Sequence, residues 1–443
     1  MEYLTGKTEK KTLGIQDILA GEYEGKEVTV NGAVHKIRDM GDVAFVVLRK
    51  SEGLLQTVYE DGVTDISLKE LQEEDTVCVT GVVAKEERAP HGFEIRLRTV
   101  TILSKPTEPM PIAINKWKMN TSLETKLDLR PLSLRNVKER AKFRIQEGII
   151  RGFRDFLHEQ GFTEIHSPKI GARGAEGGAN LFRLEYFHKH AVLAQSPQFY
   201  KQMMVGVFDR VFEAAPVFRA EKHNTKRHLN EYTSLDFEMG YIENFEDIMA
   251  MEQEMLRYTF GRLQETCGAE LSLLKAEVPV ITEIPRIRFS EAKELVSCVY
   301  KRAFSEKLDF EPEEEKLLCE YVKKTTGSDF VFVTHYPSAK RPFYAMDSRE
   351  NPAETESFDL LFRGLEVTTG GQRIHNYREQ MEKIESRGMH VEAFESYLMM
   401  HRCGMPPHGG LGLGLERFTA RLLGFENVRN ASLFPRDIHR LIP

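Results

Sequence analysis

Apolar and polar positions alternate through most of the first hundred residues. The runs EVTVNGAVHKIR, VAFVVLRK, LLQTVYED, DTVCVTGVVAKE and FEIRLRTVTIL are separated by turn signals. Period-two alternation of this kind predicts strands with one buried face. Helical periodicity is weak here apart from the short DISLKELQEED. Beyond about residue 105 the alternation stops, and a proline-bearing stretch, SKPTEPMPIAINK, predicts a hinge and linker over 106–130.

The period then changes. VKERAKFRIQEGIIRGFRDFLHEQG, 137–161, has the spacing of an amphipathic helix ended by glycine, and FTEIHSPKI follows as a strand. In 217–239, VFRAEKHNTKRHLNEYTSLDFEM, two alternating runs (217–221 and 232–239) flank a charged loop. This predicts an antiparallel pair with Phe218, Ala220, Leu235, Phe237 and Met239 on one face. Arg219, Glu221, Tyr232, Ser234, Asp236 and Glu238 would line the other. Residues 241–330 carry further helical segments, and a glycine-rich strand running into a helix, GGLGLGLERFTARLL, lies near the end. The fold expected is α+β: a five-stranded barrel of the oligonucleotide-binding type over 1–105, the hinge, and a second domain over 131–443 with an antiparallel sheet flanked by helices.

Composition narrows the class. With 29% charged and 41% hydrophobic residues, the 443-residue chain is long enough for two or three folded domains. No apolar run approaches a membrane span, and MEYLTGKTEKK lacks the core of a signal peptide. Five scattered cysteines without a CxxC argue against zinc or a disulfide framework and for a reducing cytoplasm. A net charge of −7 shows no global attraction to nucleic acid, so any RNA binding must rest on local surface.

Taken alone, the 217–239 hairpin could simply wet its polar face. Arg219, however, has Lys222, Arg227 and His228 nearby, a set suited to phosphate oxygens. FRAE, NTKRHLNEY and LDFEM together resemble motif 2 of the class II aminoacyl-tRNA synthetases, in the form found in aspartyl-tRNA synthetases. The 137–170 helix and strand resemble motif 1, the dimer-forming element, and GLGLGLER with its helix resembles motif 3. No βαβ unit accompanies those glycines, which argues against a dinucleotide fingerprint. GARGAEGGANLF resembles the flipping loop of the family, LAQSPQFYKQ its amino-acid-binding segment, and SFDLLFRGLEVTTGGQRIH the second half of its site. The stretch between motifs 2 and 3 is too short for the inserted domain of typical bacterial members, so the archaeal and eukaryotic type fits.

The resemblance implies roles residue by residue. Arg219 and Arg417 would be catalytic. Arg219, Glu221, Arg227, His228, Leu229, Tyr232, Glu366, Gly414, Leu415, Glu416 and Arg417 would bind ATP. Glu176, Gln198, Lys201, Arg219, Asp236, Thr369 and Arg373 would bind L-aspartate, with Lys201 and Arg373 on its side-chain carboxylate. Asp359, Glu366 and Thr369 would hold Mg²⁺ with the ATP; Thr369 departs from the Ser usual in the family but keeps the hydroxyl. In the barrel, His35, Phe45, Gln56 and Glu94 would meet the anticodon, Phe45 by stacking. His35 stands where strict members carry Trp, and His there goes with acceptance of tRNA(Asn) besides tRNA(Asp); a strictly discriminating aspartyl-tRNA synthetase is the alternative. The reaction implied is two-step aspartylation by a homodimer, with a tRNA amidotransferase as a further partner if both tRNAs are charged. Three rivals stay open: lysyl or asparaginyl synthetases, a paralogue that makes asparagine, and a non-catalytic RNA-binding relative. QSPQ followed by Lys201, together with GGQR, favours aspartate. The barrel argues against the asparagine-making paralogue, and the full set of site residues against the non-catalytic relative.

Overall fold

The computed structural model describes residues 12–174 and 181–443. Contacts within the chain gather into two units, Met1–Thr121 with Leu132–Val137, and Ser122–Pro131 with Lys138–Pro443.

Five strands form the first unit: β1 (Glu27–Asp39), β2 (Val43–Lys50), β3 (Gly53–Glu60), β4 (Thr76–Lys85) and β5 (Phe93–Ser104). They close into a barrel in the order β1-β2-β3-β5-β4. The alternation in the sequence is the reason. Val28, Val30, Val34, Ala44, Val46, Leu48, Val77, Val79 and Val83 point inward and are buried together, with polar neighbours between them. The helical signal at DISLKELQEED reduces to one 3₁₀ turn, Leu68–Glu70, because only three residues separate its cap from the return to extended chain. β1 carries a bulge between Val34 and Lys36, so His35 has no strand partner on β2.

The second unit adds β6 (Thr163–Glu164), a small sheet of β7 (Ile170–Gly171), β8 (Arg183–Tyr186) and β9 (Lys189–Leu193), and then the site-bearing strands. These are β10 (Arg210–Phe218), β11 (Glu231–Gly240), β12 (Arg286–Arg288), β13 (Phe330–Thr334), β14 (Ser357–Phe362), β15 (Leu365–Gln372) and β16 (His408–Gly414). They make an eight-stranded sheet ordered β12-β13-β14-β15-β16-β11-β10-β6. The expected antiparallel arrangement holds for the six central strands, whereas the edge pairs β12·β13 and β10·β6 are parallel. The sheet is therefore mixed.

One face of that sheet packs on helices. Val137–Glu159 buries Ile145, Ile149, Phe153 and Phe156 beside Leu235, Phe237 and Leu411 of the sheet. Gly148 and Gly152 let the helix Glu246–Thr266 approach closely: a β-carbon there would stand 2.7 Å from Leu263 and 2.9 Å from Thr259. The first strand of the 217–239 hairpin starts earlier and ends earlier than its alternation indicates, at Phe218. Pro216 lies within it, opposite Thr233, where β6 no longer covers the other side of β10. Proline is tolerated there because no ladder donor is needed.

Candidate active site

The other face of the sheet is the floor of a cavity of about 730 Å³. The glycines of β16 make that floor flat. Gly412 lies opposite Asp236, and a β-carbon would sit 3.0 Å from its carboxylate; at Gly410 one would collide with the Phe237 carbonyl and the Glu238 carboxylate. Acidic side chains of β11 can therefore rise from the sheet into space that any other residue on β16 would fill.

At one end of the cavity four charges are packed in burial. Lys201, in the first turn of the helix Gln198–Phe208, donates to Asp236 Oδ1 at 2.9 Å and to the Leu411 carbonyl at 2.9 Å, and lies 3.4 Å from Glu238. Arg373 donates from Nε to Glu238 at 2.9 Å and from Nη2 to the Gly410 carbonyl at 2.9 Å. Burial works against the Glu238 carboxylate, but Arg373 and Lys201 outweigh it and hold its pKa below the ordinary value. Gln198 belongs to the same region; its amide donates to Gln202, which meets His408 Nε2 at 2.9 Å. Burial lowers the His408 pKa to about 4, so this ring is neutral at pH 7.

Arginines gather at the other end. Arg219 stands over the Tyr232 ring at 5.8 Å. Arg417 lies 3.5 Å from the Glu366 carboxylate and donates to the Arg227 and Glu366 carbonyls. Arg227 pairs with Glu315, and His228 Nδ1 is 2.6 Å from the Thr225 hydroxyl. Burial, then Arg417, depress the His228 pKa. Glu221, Leu229, Gly414 and Glu416 line the same space, and Leu415 turns into the core. Glu416 accepts from the Thr233 amide, and burial pushes its carboxyl up to about 8. Asn230 pins the ends of the intervening loop together: its side-chain amide donates to the Arg219 and Glu221 carbonyls at 2.8 and 3.0 Å, and its own carbonyl accepts from the Arg219 amide at 2.9 Å.

Asp359 and Glu366 come from β14 and β15, with Thr369 directly opposite Asp359 and its hydroxyl 3.2 Å from Glu366. Across from Thr369 on β16 is Gly412, which leaves room for the extra methyl. Desolvation lifts the Asp359 pKa to about 6 against the pull of Arg341; Glu366, though buried, is kept low by Arg417, Arg341, Arg219 and Arg227. These are hard oxygen donors. Among the described residues no group of three or more His, Cys, Asp or Glu could hold an ion unaided. The donor set thus fits a metal that brings further ligands of its own, such as phosphate oxygens and waters.

Glu176 lies outside the described residues. In the barrel, Phe45 and Gln56 share one face through the register of β2 and β3, and the Gln56 amide donates to Glu94 at 3.0 Å. His35 sits elsewhere in that unit, in a recess with Gln72, Glu73, Glu74 and residues 106–115. Its ring nitrogen is 3.1 Å from Arg49, which forks onto Glu74; Arg135 also reaches Glu74, at 2.8 Å.

Three residues that line the cavity or pair with its lining escaped a role in the sequence. Glu238 was legible as part of the polar face but not as the acid shared by Lys201 and Arg373. Glu315 and Arg341 lie in segments with no motif, and only the fold brings them to Arg227 and Asp359.

Residues 122–438 match the family described as class II tRNA synthetases (D, K and N), and residues 28–103 match the OB-fold nucleic acid binding domain. The chain belongs to that class II family. Its kinship within the family runs to proteins named for aspartate. It is 48% identical over 428 residues to an aspartate–tRNA(Asp/Asn) ligase of Deinococcus radiodurans, covering 95% of this chain and 97% of that one. It is 42% identical over 429 residues to an aspartate–tRNA(Asp) ligase of Pyrococcus furiosus, with 95% and 97% covered. Among solved structures, asparaginyl-tRNA synthetase of Pyrococcus horikoshii with asparaginyl-adenylate superposes with a TM-score of 0.89 at 31% identity, covering 98% of this chain and 99% of that one.

Proposed function

We propose that this chain is an ATP-dependent aspartate–tRNA ligase that charges tRNA(Asp) and, in addition, tRNA(Asn). The observation that carries the amino-acid assignment is the buried pair Lys201 and Arg373, tied together by Glu238. Two cations facing one small pocket suit a β-carboxylate. Asparagine would turn an amide N–H₂ donor towards these cationic donors, where aspartate offers them two carboxylate acceptors.

In the first step an α-carboxylate oxygen of aspartate attacks the α-phosphorus of ATP and pyrophosphate leaves. Arg219 holds the α-phosphate and that carboxylate, Arg227, His228 and Arg417 take the outer phosphates, and Tyr232 stacks on adenine. Asp236, Gln198 and Glu176 receive the substrate ammonium. Mg²⁺, held by Asp359, Glu366 and Thr369, would supply charge neutralisation for the phosphates. In the second step the 3′-terminal hydroxyl of the tRNA attacks the aspartyl carbonyl and AMP departs. No side chain acts as a nucleophile, so positioning and charge stabilisation carry the rate.

Phe45, Gln56 and Glu94 form the anticodon-reading face, and His35 is the basis for including tRNA(Asn). Relatives of both kinds, named for tRNA(Asp/Asn) and for tRNA(Asp) alone, stand at comparable identity. A homodimer through the 137–159 helix region, an amidotransferase acting on aspartyl-tRNA(Asn), and a cytoplasmic location complete the reading; no helix among the described residues is long and apolar enough to cross a membrane. The test is aspartylation of purified transcripts with aspartate and asparagine anticodons, side by side. Charging of both is expected. Charging of the aspartate tRNA alone would remove the tRNA(Asn) assignment, and charging of neither would overturn the reading altogether.

A further inference from the structure

We propose that Arg341 is a built-in counter-cation that occupies the Asp359 carboxylate in the nucleotide-free enzyme and yields it when a metal–nucleotide complex binds. This rests on the reading of the cavity as an ATP site.

Arg341 is held where it can do this. Its guanidinium lies over the Tyr336 ring at 4.0 Å, donates from Nε to the Ser357 hydroxyl at 3.1 Å, and from Nη2 to Asp359 Oδ1 at 2.7 Å. The loop that carries it is tied down from outside: Arg387 donates to the Ala339 and Arg341 carbonyls, and Lys383 reaches Ser338 and Asp347. Arg341 also faces the cavity alongside Glu366 and Thr369. Asp359 and Glu366 repel one another in burial, and the pair needs a permanent cationic partner when no metal is present.

A guanidinium and a divalent cation cannot both take the same carboxylate oxygen at full strength. Magnesium-type ions, which give up water reluctantly, are therefore poor competitors on their own. ATP changes the balance, because its phosphate oxygens offer the Arg341 guanidinium another anion while the carboxylates pass to the metal. The consequence is an enzyme whose metal affinity is low until nucleotide arrives, although the acids are already in place.

The experiment uses full-length protein without nucleotide and Mn²⁺ as a spectroscopic probe, with free ion followed by electron paramagnetic resonance. Arg341→Met keeps the apolar stem on Tyr336 and removes the charge. It is expected to bind Mn²⁺ on the order of tenfold more tightly than wild type, the factor that a lost competitor of this kind produces. Arg341→Lys keeps the charge but not the fork and is expected between the two, about two- to threefold tighter. Wild-type Mn²⁺ affinity in Arg341→Met overturns the proposal. Should that variant not fold, unchanged affinity in Arg341→Lys does so. Aspartate-dependent pyrophosphate exchange by the wild-type enzyme is measured in parallel: its absence would reject the ATP reading, whatever the metal titration gives.

Discussion

The two ends of the cavity handle charge in opposite ways. At the end proposed for the amino acid, Lys201, Arg373, Asp236 and Glu238 are matched two against two, and their side chains are between 0 and 7% exposed. At the end proposed for the nucleotide the cations crowd around Glu366, and Arg227 and Arg417 keep 20 and 26% of their side chains exposed. A small ligand that must be told from a near-isostere meets rigid, dehydrated, pre-paired groups. On that reading a flexible polyanion with many oxygens meets arginines that keep a part of their surface in water and can shift onto it. Selection and acceptance are thus separated in space on one sheet, with Arg219 where they join.

Breaking the junction should cost most. Arg219→Ala is expected to abolish adenylate formation, a loss of about 10³-fold or more in single-turnover rate, since charge on the reacting phosphate goes unmet. Wild-type rates would dissolve the distinction between the two ends. Next comes the selective end: Arg373→Leu should remove aspartate-dependent pyrophosphate exchange by roughly 10²–10³-fold and, by stranding Glu238, destabilise the fold by about 3 kcal/mol. Near-normal exchange in that variant would refute the carboxylate assignment. Glu238→Gln probes pre-pairing itself. It should lower the preference for aspartate over asparagine by on the order of tenfold, measured as the ratio of kcat/KM values for exchange.

The accepting end should respond more mildly. His228→Ala is expected to raise the KM for ATP about three- to tenfold while leaving that for aspartate alone, because one of several phosphate contacts is lost. An equal rise in both constants would merge the two ends. The smallest effect concerns an acid without a cation. Glu252, fully buried beside Thr368 on the far face of the sheet, has its pKa raised to about 8 by desolvation. Its folded pKa lies above the unfolded one, so its contribution is intact below about pH 4.5 and is lost as pH rises towards 8. Glu252→Gln should therefore melt higher than wild type at pH 8, with the gap closing by pH 5. A gap independent of pH would show that Glu252 is ionised at both.

The barrel was the most legible part of the chain, since half-buried strands write their two faces directly into alternation. β11 was legible too, and its odd-numbered residues Leu235, Phe237 and Met239 do enter the core. β10 was misplaced because Pro216 interrupts the pattern and because Arg219–Glu221 alternate without being in the sheet. The strand expected at FTEIHSPKI contains β6, but its parallel pairing with β10 left no trace, nor did the three-residue β12. In the site, residues inside quoted motifs were visible, whereas Glu315 and Arg341 were not. A lone charged side chain in a helix or loop reads as solvated, and only tertiary contact tells otherwise.

The Asn230 clasp has a bearing on how this region tolerates change. Because the side chain bonds the Arg219 and Glu221 carbonyls, it fastens the two ends of the 222–229 segment to each other and holds the root of the loop at the sheet. Its far side is held as well, where the Val428 amide donates to the Lys226 carbonyl and Arg429 to the Thr225 carbonyl, so the loop is clamped between the sheet and the C-terminal segment.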